Sequence, residues 1–193
     1  MKTIIIDNYD SFTYNLYQLV GEVAYNEGKQ MNVEVFRNDK ISLKELSKLK
    51  ADRIIISPGG GNVYDKQYFG ICDDIINNLG KDTPLLGVCL GMQGIAKCYG
   101  ADIIKLSPPM HGKISNILHN SKGIYKDIPQ NIEVMRYHSL IVDLKNFPKN
   151  ELEITSMSVS DNSSNNTNYD GILDFSSSKY KNEVIMGISH KKY

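Results

Sequence analysis

The chain has 193 residues, 41% hydrophobic and 23% charged, with Lys plus Arg (22) balanced by Asp plus Glu (22). That is the size of one domain and the composition of a globular rather than a disordered protein. A neutral chain with only three arginines (Arg37, Arg53, Arg136) has no basic footprint for a phosphate backbone, so nucleic acid is not expected as a partner.

Residues 3–6 (Thr-Ile-Ile-Ile) are continuously apolar and read as a buried strand. A helix follows, with Asp10 or Ser11 able to cap it. Its apolar residues Phe12, Leu16, Leu19, Val20 and Val23 recur at helical spacing. Residues 33–36 form a second predicted strand, and 43–49 a short helix opened by Ser42. Residues 53–56 are a third strand ending in Ser57-Pro58-Gly59-Gly60-Gly61. A helix is expected over 68–79, a fourth strand over 85–88, and a helix through 92–99. Strands alternating with helices at this spacing imply an α/β fold: an open, mostly parallel twisted sheet with helices on both faces. In the second half, 114–118, 132–136, 152–159 and 183–188 read as strands joined by Gly, Pro and Asn turns, which predicts a mixed or antiparallel extension. Residues 160–168 (Ser-Asp-Asn-Ser-Ser-Asn-Asn-Thr-Asn) hold no apolar side chain and read as a loop or insertion.

The longest apolar runs fall far short of the roughly 20 residues of a membrane-spanning helix. The start, Met1-Lys2-Thr3-Ile4-Ile5-Ile6-Asp7, meets a carboxylate too early for a signal peptide. The three cysteines, Cys72, Cys89 and Cys98, show no paired spacing, which argues against a disulfide framework or a structural zinc site. A cytoplasmic domain without membrane association, bound metal or cofactor is expected. The glycosylation triplets at Asn162 and Asn165 then read as chance matches.

In open α/β sheets the reactive groups gather beyond the carboxyl ends of the strands. Gly87-Val88-Cys89-Leu90-Gly91-Met92-Gln93 is a strand that ends on a cysteine and restarts as a helix. Small residues two before and two after Cys89 permit the tight turn of a nucleophile elbow. The helix N-terminus there favours thiolate over thiol. By itself the segment also suits a buried structural cysteine. Cys72 and Cys98 lie inside predicted helices and read as core. The glycine run after the third strand can aim backbone N–H groups at an oxyanion, yet Pro-Gly-Gly is also a common turn. It lacks the Lys and Ser/Thr of a nucleotide-binding P-loop. The segment Arg136-Tyr137-His138-Ser139-Leu140 assigns itself no role by chemistry alone.

Together these segments resemble the class I (triad-type) glutamine amidotransferases, in particular the glutaminase component of anthranilate synthase and aminodeoxychorismate synthase. The resemblance runs through Asp7-Asn8-Tyr9-Asp10-Ser11-Phe12-Thr13-Tyr14-Asn15, Arg37-Asn38-Asp39, Ser57 to Gly61, Gly87 to Gln93, His111-Gly112-Lys113 and Arg136 to Leu140. It implies one amidotransferase domain over residues 1–193, with Cys89 as the nucleophile on the side-chain amide of glutamine. It further implies an oxyanion and substrate site from Gly59, Gly60, Gly61 and Leu90, with Gln93, Ser139 and Leu140 gripping the α-amino and carboxylate end. Ammonia would pass to a chorismate-binding synthase subunit or fused domain, toward which His111, Gly112 and Lys113 lie. Two departures accompany the match. Gly60 stands where the family's loop has a second proline. The expected Gly-Val-Gln-Phe-His-Pro-Glu, source of the general base and its carboxylate, does not follow Met186-Gly187-Ile188-Ser189-His190 within these residues. The domain is therefore expected to be incomplete at its C-terminus, as a fragment of a longer active polypeptide. The alternative is a catalytically incomplete pseudo-glutaminase that binds and regulates a synthase. The choice between anthranilate and aminodeoxychorismate as product stays open.

Overall fold

The computed structural model describes residues 1–159, 175 and 183–193, so the polar segment expected at 160–168 lies outside the described residues. The described chain divides into two compact units, Met1–Cys98 (with Tyr193) and Tyr99–Lys192.

In the first unit the strands β1 (Thr3–Asn8), β2 (Val33–Arg37), β3 (Arg53–Gly59) and β4 (Leu85–Gly87) form a parallel sheet in the order β2-β1-β3-β4. The isoleucine triplets 4–6 and 54–56 occupy its two central strands and are buried throughout. A strand covered on both faces has no polar side to alternate, which is why these runs are continuously apolar. The helices are α1 (Thr13–Asn26), α2 (Leu43–Lys48), α3 (Lys66–Phe69), α4 (Cys72–Asn78) and α5 (Leu90–Cys98). The chain steps from β1 out to β2, then crosses back past β1 to β3. By the right-handed rule for parallel crossovers, a step out followed by a step back places the connecting helices on both faces of such a sheet. The connections leaving β1 and β3 run in opposite directions, so their carboxyl ends flank the topological switch point where such sheets bind ligands.

Two local expectations need adjusting. Phe12, not Asp10 or Ser11, occupies the cap position of α1, with no side-chain cap. The polar side chains serve the preceding turn instead: Asp10 Oδ1 accepts from the Phe12 N–H (2.8 Å) and Asp7 Oδ1 from the Thr13 hydroxyl (2.7 Å). The helix expected over 68–79 is two short ones. Gly70 breaks it at φ +49, where an added Cβ would lie 2.4 Å from the Asn38 carbonyl oxygen. Ser42 does open α2, in a reciprocal capping box with Glu45.

The second unit holds β5 (Ile103–His119), β6 (Ile132–Val142), β7 (Leu152–Val159) and β8 (Ile185–His190). They pair antiparallel in the order β6-β5-β7-β8, so the antiparallel strands form a sheet of their own among the described residues. β5 is far longer than the expected 114–118, because pairing with β6 extends it back to Ile103, while the proline-containing stretch between Lys105 and Met110 interrupts the ladder with a register shift. Its register jumps between His111 and Lys113, where Gly112 adopts φ +65, a bulge. Along β6, Arg136 and Val142 are buried while Met135 and Tyr137 are more than two-thirds exposed. Among the described residues, no helix is long and apolar enough to cross a membrane.

Candidate active site

Cys89 sits between β4 and α5 at φ +52, a left-handed conformation that costs a non-glycine residue energy and is held by its surroundings. The Val88 N–H donates to the Ile56 carbonyl, Gly91 N–H to Val88 and Gln93 N–H to Cys89, each at 3.0 Å, locking the turn onto β3. The flanking glycines are demanded by close approach. A Cβ on Gly87 would lie 2.4 Å from the Gly91 carbonyl carbon, and one on Gly91 would lie 2.4 Å from the Ile56 carbonyl oxygen.

The sulfur is half-buried, and burial pushes the Cys89 thiol above its ordinary range, with the Asp10 carboxylate acting in the same direction. A hydrogen bond from the Leu90 N–H favours the thiolate but is the smaller effect. The helix terminus thus moderates rather than reverses the cost of burying the charge. Cys72 is fully buried, hydrogen-bonded to Asn8 Oδ1 at 3.3 Å, and burial raises its thiol far beyond reach. Burial and then Asp73 push Cys98 up to about 12.

The glycine loop meets the elbow. A Cβ on Gly59 would lie 2.7 Å from both Asn8 Cβ and Leu90 Cδ2, so its backbone rests directly on the first residue of α5. Gly61, at φ +71, turns the chain under the Tyr68 ring, while Gly60 faces open space. Gln93 is buried one helical turn beyond Cys89. Behind the loop lies a polar network that sequence reasoning assigned no role. The Asn8 N–H donates to Ser57 Oγ and its Nδ2 to the Ser57 carbonyl, both at 2.9 Å. Asn38 Nδ2 in turn donates to Asn8 Oδ1 (2.8 Å) and to the Tyr68 carbonyl (2.7 Å). Asn8, Asn38 and Ser57 are all buried, so the root of the glycine loop is pinned by a buried hydrogen-bonded network, in which Asn38 Oδ1 alone lacks a partner among the described residues. Both asparagines lay within segments quoted for the resemblance, but only the fold joins them.

In the second unit, His111 and Ser139 are brought together: His111 Nε2 and Ser139 Oγ are hydrogen-bonded at 2.8 Å, and the His111 ring stacks on Tyr137 with centroids 4.8 Å apart. Lys113 is exposed and opposite Arg136 in the ladder. The Leu140 carbonyl accepts from His138 Nδ1 at 3.1 Å.

The family model for glutamine amidotransferase class-I matches residues 4–193. The chain belongs to the class I glutamine amidotransferases. The anthranilate synthase component 2 of Leptospira biflexa is 47% identical over 156 residues, covering 81% of this chain and 77% of that protein. The one from Methanothermobacter thermautotrophicus is 38% identical over 190 residues, covering 98% and 84%. A multifunctional tryptophan biosynthesis protein of Pichia angusta is 40% identical over 192 residues, and the match spans 44% of its length. Among solved structures, a glutamine amidotransferase from Thermotoga maritima superposes with a TM-score of 0.63 at 14% identity, covering 81% of this chain and 66% of that one, a likeness of fold.

Proposed function

We propose that this amidotransferase chain hydrolyses glutamine through a Cys89 thioester and delivers the ammonia to a chorismate-aminating synthase, as a partner subunit or a fused domain. The observation that carries the reading is Cys89 at φ +52 on a turn that abuts the Gly59 backbone and opens α5 at Leu90. The sulfur attacks the side-chain amide carbon, and the Gly59 and Leu90 N–H groups hold the oxyanion of the tetrahedral intermediate. Collapse breaks the C–N bond, releasing ammonia and leaving a γ-glutamyl thioester that water hydrolyses to glutamate. Gly60, through its backbone N–H, and Gly61 and Gln93 shape the same site. The assignment of Ser139 and Leu140 to the α-amino and carboxylate end rests on the resemblance.

The thiol, held above its usual range by burial, needs a base to become a nucleophile at neutral pH. Residues 1–98 contain no histidine. The base in this reading is the imidazole of a His-Pro-Glu segment such as the family carries. For the synthase contact, His111, Gly112 and Lys113 adjoin the exposed side chains of Ile114, Met135 and Tyr137, an apolar surface of the kind that partners cover. The shared names of the relatives favour anthranilate as the product.

The test is Cys89→Ser beside Cys72→Ser in the complete enzyme, with glutamine and then ammonium as nitrogen donor. Cys89→Ser is expected to abolish glutamine-dependent synthesis and spare the ammonium-dependent reaction, while Cys72→Ser spares both. Retained glutamine use by Cys89→Ser refutes the reading.

A further inference from the structure

Arg136 stands where β6 should carry an apolar side chain. Val134, His138, Leu140 and Val142 share its face, and Arg136 itself is only 5% exposed. A buried guanidinium is costly unless its donors are used. Two of its three nitrogens are: Nε donates to His138 Nε2 at 3.0 Å and Nη1 to Ser115 Oγ at 3.2 Å, with Nη2 unpartnered among the described residues. Glu183 is near enough to favour the charge.

The direction of these bonds matters. Arg136 Nε can only donate, so His138 Nε2 must present its lone pair and carry no proton. The Leu140 carbonyl can only accept, so His138 Nδ1 must carry the proton. The imidazole is therefore neutral and in a single tautomer. Burial, helped by Arg136 and His111, holds its proton affinity below the usual imidazole range, against the bond to the Leu140 carbonyl, which raises it. On the other face of β6, His111 holds the Ser139 hydroxyl. The backbone of residues 139–140 is thus held from both faces, by Arg136 through His138 and by His111 directly.

We infer that Arg136 and His138 are positioning residues for glutamine binding: Arg136 fixes the Nδ1–H tautomer of His138, which holds the Leu140 carbonyl and so shapes the 139–140 backbone. This rests on the reading of Ser139 and Leu140 as the grip on the α-amino and carboxylate end of glutamine. A charge placed to orient a backbone segment explains an arginine at a core position, where a packing role alone would be met better by a leucine or methionine.

The experiment has two arms. Nitrogen NMR of the 15N-histidine-labelled protein, with His138 assigned from the His138→Asn spectrum, reads the tautomer directly. A neutral ring protonated on Nδ1 is expected at pH 7; an Nε2–H tautomer or an imidazolium overturns the inference. Steady-state kinetics of the complete enzyme with its synthase subunit or domain read the role. Arg136→Gln should raise the KM for glutamine roughly 3- to 10-fold, the worth of about one hydrogen bond, with kcat and the ammonium-dependent rate little changed. Arg136→Lys, which folds with the charge retained and can still donate to His138, should recover part of that loss. A fall in kcat at unchanged KM, or a lysine variant no better than glutamine, overturns it. Wild-type enzyme without glutaminase activity would refute the proposed function, and this role with it, while leaving the tautomer signal as expected.

Discussion

Gly59 and Gly60 are neighbours in one loop, yet the structure sets them opposite fates on substitution by alanine. At Gly59 the new methyl carbon would lie 2.7 Å from Asn8 Cβ and from Leu90 Cδ2, and 3.0 Å from the Asn8 carbonyl oxygen. Ordinary carbon–carbon contact is about 3.5–4.0 Å, so the wedge is about 1 Å too thick on both sides. Asn8 cannot yield without stretching its two bonds to Ser57, and Leu90, 1% exposed, has no space to move into. Overpacking of this kind costs about 1–3 kcal/mol of stability. The larger effect should be on chemistry, because the wedge parts the two N–H groups assigned to the oxyanion. Loss of one such donor lowers kcat roughly 10²–10³-fold. At Gly60 a methyl meets nothing within 4 Å and the φ is not in the left-handed region, so stability should stay within about 0.5 kcal/mol and kcat within about twofold. The assay is glutamine-dependent ammonia release by the complete enzyme, with urea unfolding for stability and ammonium-dependent synthesis as the control. Gly59→Ala with near-normal kcat, or Gly60→Ala as damaging as Gly59→Ala, would refute the placement of the oxyanion site.

Asn8→Ala keeps the backbone bond to Ser57 Oγ but strips side-chain partners from the Ser57 carbonyl, Asn38 Nδ2 and the Cys72 thiol at once, and should destabilise by about 1–3 kcal/mol for each buried group left unpaired, read from urea unfolding. Because burial raises the Cys89 thiol, its thiolate fraction at neutral pH is below that of free cysteine. Iodoacetamide should therefore label it slowly at pH 7, with a rate still climbing above pH about 8.5, and a plateau below that pH would contradict the burial argument. Cys98, pushed up to about 12, and the fully buried Cys72 should stay unlabelled over the same range. Lys113→Glu should weaken binding of the synthase partner roughly two- to fivefold, less at high salt, as measured by titration; unchanged affinity would remove Lys113 from the proposed contact.

What could be read along the chain is what depends on near neighbours. The isoleucine triplets announce buried parallel strands because covering both faces leaves no polar side. The Gly87 to Gly91 spacing announces the elbow because the clash it avoids lies within a few residues and one adjacent strand. The apolar spacing of α1 was legible too, but which stripe faces the sheet was not. Thr13 is buried, whereas Phe12, Leu19 and Val23 are more than half exposed, since periodicity fixes an angle between side chains and leaves the rotation of the helix to its packing. Gly70 divides the 68–79 helix because Asn38, some thirty residues away in sequence, passes too close for any side chain. β5 runs beyond 114–118 on both sides of a proline-containing register shift because β6 supplies partners that its own sequence does not call for. The polar network behind the glycine loop joins Asn8 to Asn38, Ser57 and Cys72, and the pairing of His111 with Ser139 spans two strands. No local preference encodes those distances. They exist because a hydrogen bond needs its partners within about 3 Å, and only the paired sheets bring residues so far apart in the chain that close.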